Sequence, residues 1–63
     1  MQYKIKELRE KARLSQTALA EKSGVSRATI SIIESGKASD IKIETLSRIA
    51  GALGGNISDL FLF

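Results

Sequence analysis

Apolar residues in this chain recur three and four positions apart. Ile5, Leu8 and Ala12 stand at i, i+3 and i+7, which predicts an amphipathic helix over residues 3–12 with Tyr3 at its start. Leu19 and Ala20 anchor a shorter segment over 16–23, and Ile30 and Ile33 another over 27–35. Ile43, Leu46, Ile49, Ala50 and Leu53 form a longer stripe over 43–53. A last short helix is expected to lead into Leu60-Phe61-Leu62-Phe63. No stretch alternates apolar and polar residues as a half-buried strand would. The pattern predicts an all-α fold of five short helices.

The polar positions punctuate this pattern. Ser15 and Ser26 stand where a hydroxyl can accept an orphan N–H of the helix that follows. Asn56 is placed likewise, with Asp59 three residues on in the manner of a capping box. With no proline in the chain, Gly24, Gly36 and Gly54-Gly55 supply the stops. Residues 37–42 read as a loop with one apolar residue, Ile41. No repeat, linker or low-complexity tract interrupts the pattern, so residues 1–63 are read as one domain.

Composition narrows the chemistry. The 63 residues include no Cys and no His, which removes disulfides, the usual zinc sites, thiol nucleophiles and imidazole bases. The carboxylates are scattered, and so small a domain can hardly enclose a substrate, so no enzyme activity, small-molecule substrate, cofactor or metal is expected. The apolar runs are too short to cross a membrane, and the first residues do not resemble a secretory signal. A cytoplasmic protein is therefore expected. Residues 1–27 hold seven Lys/Arg against three acids, a net +4, whereas residues 28–63 hold three against four. A basic half fits an acidic polymer such as nucleic acid. It fits equally a solvated helix face with Lys6–Glu10 and Glu7–Lys11 pairs, and charge alone does not decide.

The informative segment is QTALAEKSGVSRATISIIES, Gln16 to Ser35. Two helices joined by so tight a turn cross steeply. Ala20 is then required to be small where the backbones approach, and Gly24 makes the turn. Leu19, Val25, Ile30 and Ile33 fill the inside of the corner. Ser26, Arg27, Ala28, Ser31, Ile32 and Ser35 are left on the outer side of the second helix of the pair. A helix that exposes small and hydrogen-bonding residues on one face can lie in the DNA major groove.

From IKELREKARLSQ through ALAEKSGVSRATISIIESGK to IETLSRIAGALG and ISDLF, the chain resembles the phage repressor and Cro proteins, also called the xenobiotic-response-element family. The resemblance spans nearly the whole chain. It implies a compact five-helix, lambda-repressor-like DNA-binding domain whose second and third helices form a helix-turn-helix. It further implies base reading by Ser26, Arg27, Ala28, Ser31 and Ile32, and phosphate contacts from Gln16, Thr29, Ser35 and Lys37. Gln16 matches a residue that also braces the recognition helix, and Arg9 and Glu34 match a partly buried ion pair. A sequence-specific regulator, most often a repressor, is the implied function, with double-stranded DNA carrying a palindromic operator as partner. A bacterial nucleoid or phage setting is implied with it.

Side-chain chemistry supports some of these roles and leaves others open. Arg27 offers a planar fork suited to guanine O6 and N7, and a helix N-terminus is electrostatically the wrong end for a cation without such a use. Ser26 is equally well explained as a cap. Ile32 either touches a thymine methyl or is covered by another element. Lys37 also suits the negative end of the preceding helix. The chain departs from the family pattern at Arg13, where glycine is usual, at Ala18, where an acid often completes the Ser15 cap, and at Ser23 before the turn glycine. The Ala38–Lys42 loop is a residue longer than common and lacks its proline, so Ser39 and Lys42 are not counted among the contacts. Leu62 and Phe63 exceed what one short helix can bury and are candidates for a homodimer contact or for exposure at a truncation. An antitoxin-like or accessory module binding another protein through this apolar end is the alternative.

Overall fold

A computed structural model of the chain describes residues 3–37 and 40–61. It contains α1 (Ile5–Lys11), α2 (Gln16–Ser23), α3 (Arg27–Glu34) and α4 (Ile43–Ala52), followed by a 3₁₀ turn at Ile57–Leu60. The expected fifth helix is thus a single tight turn. Only four residues separate Asn56 from the extended Phe61, too few to propagate an α-helix. The Asn56 N–H donates to Asp59 Oδ2 at 2.8 Å, a local bond that holds this turn closed. Gly55 lies against that carboxylate: a Cβ there would stand 2.7 Å from Asp59 Oδ2.

The two ends of the described chain meet. Tyr3 and Phe61 form an isolated antiparallel bridge, and Lys4 N–H donates to Leu60 O at 2.7 Å. Their rings lie 5.5 Å apart, tilted by 44°. This pairing explains why α1 begins at Ile5 rather than at residue 3.

Ile5, Leu19, Val25, Ile30, Ile33, Leu46, Ile49, Ala50, Ala52 and Leu60 form the core, with Leu8, Leu14, Ala20, Ile41, Leu53, Ile57 and Phe61 packed around it. Helix α2 packs on α3 and α4, α4 on the 3₁₀ turn, and α1 on α3. Two expected core positions are not in it. Ala12 is exposed, because α1 ends at Lys11 and Ala12 is its cap. Ile43 is 65% exposed as the first residue of α4, and Ile41 packs on the core in its stead. Ile41 and Leu46 occupy the N′ and N4 positions of α4, the pair that staples a chain onto its helix. Among the described residues no helix is long and apolar enough to cross a membrane.

Candidate nucleic-acid interface

The corner between α2 and α3 is set by local bonds. Ser15 Oγ accepts the Ala18 N–H at 3.0 Å and starts α2. Gly24 ends it at φ 76°, its N–H donating to Ala20 O at 2.9 Å. That backbone region costs a residue with a Cβ about 1–2 kcal/mol, and a Cβ on Gly24 would also reach Arg48 Nη1 at 3.5 Å. Ser23 Oγ accepts the Val25 N–H at 3.2 Å, which gives the polar residue before the glycine a task the sequence pattern did not reveal. Ser26 Oγ accepts the Thr29 N–H at 3.1 Å and starts α3.

Helix α3 has two unlike sides. Ile30 and Ile33 are buried against the core, while Arg27, Ala28, Ser31, Ile32 and Ser35 are exposed and Thr29 is half-buried. Gln16, Arg27, Ala28 and Ser31 line one shallow groove, so the start of α2 and the outer side of α3 share a surface. Thr29, Ile32, Lys37, Ile41, Lys42 and Thr45 line a second hollow beside it. Sequence reasoning set Lys42 aside on the length of its loop and passed over Thr45, which lines this hollow with it.

Individual side chains differ in what they leave available. Arg27 makes no hydrogen bond or ion pair among the described residues, and neither does Lys37 through its side chain. Ser26 Oγ also donates to Thr29 Oγ1 at 2.8 Å, so the Thr29 hydroxyl keeps its own proton for an outside acceptor. The Ser35 hydroxyl is turned inward: it donates to Ile32 O at 2.6 Å and accepts the Lys37 N–H at 3.3 Å, which leaves it less to offer than the resemblance implied. Ile32 is 54% exposed, so no described element covers it. Leu62, Phe63 and Ser39 lie outside the described residues.

A bracket behind α3 holds this surface in place. Arg9 Nε and Nη2 donate to Glu34 Oε2 and Oε1 at 2.7 and 3.1 Å, a two-point pair. Arg9 Nη1 also donates to Leu14 O at 2.8 Å, and Gln16 Nε2 to Glu34 Oε1 at 3.1 Å. The side chains of Arg9 and Glu34 are only 12% and 5% exposed. Burial by itself would push the Glu34 carboxyl up. Hydrogen bonds from Arg9 and Gln16, with the charges of Arg9 and Lys6, outweigh it and hold the group below the ordinary carboxylate value. The hydrogen bond to Glu34 likewise raises Arg9 above its usual value, against the opposing effect of burial. Three helices are tied at one carboxylate.

Comparison with known proteins places this architecture. A family model described as helix-turn-helix matches residues 5–60. An uncharacterized HTH-type transcriptional regulator of Archaeoglobus fulgidus is 36% identical over 63 residues, covering 100% of this chain and 87% of that protein. Another, from Methanocaldococcus jannaschii, is 41% identical over 63 residues, covering 100% and 94%. Among solved structures, a chain of the SinR protein/SinI protein complex superposes with a TM-score of 0.81 at 30% identity, over 86% of this chain and 52% of that one. An HTH_3 family transcriptional regulator from Vibrio cholerae gives 0.80 at 39% identity, over 89% and 31%. This chain therefore spans about half of the first solved chain and about a third of the second.

Proposed function

Because the chain belongs to the helix-turn-helix family of transcriptional regulators, we propose that it binds double-stranded DNA sequence-specifically by laying the outer side of α3 in the major groove. The observation that carries this reading is the division of α3. Ile30 and Ile33 are spent on the core, and the opposite side is open, with Arg27, Ala28 and Ser31 adjoining Gln16 and Ile32 exposed beside them. Arg27 is assigned the main direct readout, a two-point bond to guanine, with Ala28 and Ser31 leaving room for close approach. Ile32 is assigned contact with a thymine methyl. Gln16, Thr29 and Lys37 are assigned phosphates, which supply position and much of the affinity. Ser26 acts chiefly as the cap that aims Arg27, and Ser35 plays at most a minor part.

Repression by occupancy of a promoter is the regulatory form assigned to this binding. A twofold dimer joined through Leu62 and Phe63 would set two α3 helices about 34 Å apart, matching a palindromic operator. Selection from random duplex DNA tests the reading. A defined motif is expected, and Arg27→Ala should weaken binding to it by about 1–3 kcal/mol while relaxing one base position. An unchanged motif and affinity in that variant would remove Arg27 from the assignment. Failure to enrich any motif would remove sequence-specific binding itself.

A further inference from the structure

Four described residues adopt positive φ, and three of them are glycines: Gly24, Gly36 and Gly54. The fourth is Arg13, at φ 59° in the turn between α1 and α2. Left-handed backbone is strained for a residue with a Cβ, and arginine lacks the short polar side chain that lets asparagine bond locally there. The turn itself is well made. Arg13 N–H donates to Glu10 O at 3.0 Å and Leu14 N–H to Arg9 O at 3.1 Å, bonds that glycine would make equally well. The Arg13 side chain returns nothing for this strain within the subunit: it is exposed and has no hydrogen bond or ion pair among the described residues.

The turn is also fixed relative to α3. Leu14 O, one residue on, accepts from Arg9, and Arg9 and Gln16 both hold Glu34 at the end of α3. Gln16 lies in the wall of the groove that Arg27, Ala28 and Ser31 complete. An unpaired guanidinium thus lies three residues before Gln16 in the chain, on a turn tied through Arg9 and Leu14 to the end of α3.

We propose that Arg13 is a further phosphate-binding residue of this interface, holding the DNA backbone beside the Gln16 contact, and that this contact accounts for an arginine where the backbone favours glycine. The inference rests on the DNA-binding reading above. It predicts opposite effects on the protein and on its complex. Arg13→Gly relieves the strained position, so its Tm should rise by roughly 3–6 °C. The same variant should bind more weakly, by roughly three- to tenfold at about 0.1 M salt, with the salt dependence of log K shallower by about 0.9.

The probe is a random-sequence duplex of two helical turns, about 21 base pairs, titrated over a range of salt concentrations. Arg13→Asn, neutral and tolerant of this backbone, should lose the same increment as Arg13→Gly, whereas Arg13→Lys should retain most of the slope. Lys4→Gln removes one unit charge at the opposite end of α1 and should leave the slope nearly unchanged. Wild-type affinity and slope in both neutral Arg13 variants would overturn the assignment. An equal loss of slope in Lys4→Gln would also overturn it, by showing a net-charge effect and no local contact. Wild-type protein that shows no salt-dependent binding would instead refute the DNA-binding reading on which the inference stands.

Discussion

Arg9 and Arg27 are the same residue put to opposite uses. Arg9 is partly buried, with its donors directed to Glu34 and Leu14 O, and it joins α1 to the end of α3. Arg27 is exposed at the start of α3 with no intramolecular partner among the described residues. The bracket is satisfied within the protein, where a two-point ion pair of low exposure resists exchange with water. On the outer side of α3 Arg27 has no such partner, and on the proposed reading that surface would exchange its waters for base edges and phosphates. Substitutions in the bracket should therefore show in stability first, and substitutions on the outer side in binding first.

The largest effect should come from breaking the bracket at its centre. Glu34→Ala leaves Arg9 and Gln16 facing each other without their shared acceptor, and should cost about 3 kcal/mol. At roughly 0.1 kcal/mol per residue the whole domain is worth only about 6 kcal/mol, so urea unfolding should show a midpoint cut by about half. A loss below about 0.5 kcal/mol would show the bracket to be ornamental. Gly24→Val should follow at about 2 kcal/mol, since a β-branched residue is forced into left-handed backbone at the turn; circular dichroism against temperature measures it. Arg27→Ala, by contrast, should change stability by no more than about 0.5 kcal/mol while damaging DNA binding.

Acidification separates the two regions more finely. The Glu34 carboxyl is held below its ordinary value in the folded protein, so the unfolded chain binds its proton more readily. Its stabilising contribution is complete above the ordinary carboxylate value, about 4.3, and is lost as pH falls through the lower folded value. The slope of Tm against pH in this acid range should be reduced in Glu34→Gln. A slope identical to wild type would show that Glu34 gains nothing from its partners. The smallest effect is expected at Ala18, the N3 position of α2, where Ser15 caps without a reciprocal acid. Ala18→Glu should add about 0.5 kcal/mol by returning a bond to the Ser15 N–H, read as a small rise in Tm.

What was legible in the sequence was what is local. The caps at Ser15 and Ser26 join residues three apart, and the stripe of α3 separates Ile30 and Ile33 from Arg27, Ser31 and Ile32 by helical period alone. The Arg9–Glu34 pair spans 25 positions, beyond any periodicity, and was legible only through family resemblance. The errors lie at the ends of elements. Ala12 and Ile43 fit their stripes in phase, but one falls just beyond α1 and the other opens α4, where packing against neighbours has not begun. The final turn was overextended because its capping residues look alike at the head of an α-helix and of a 3₁₀ turn. The inward hydroxyl of Ser35 and the cap from Ser23 depend on rotamers that the sequence does not specify.

The central claim is that the outer side of α3 meets DNA, and amide NMR during titration of the isotope-labelled chain with a selected duplex tests it most directly. The account predicts the largest shifts at Gln16, Arg27, Ala28, Ser31 and Ile32, with Gly54 to Leu60 nearly still. Shifts centred on α1 and the 3₁₀ turn, with α3 unmoved, would contradict it.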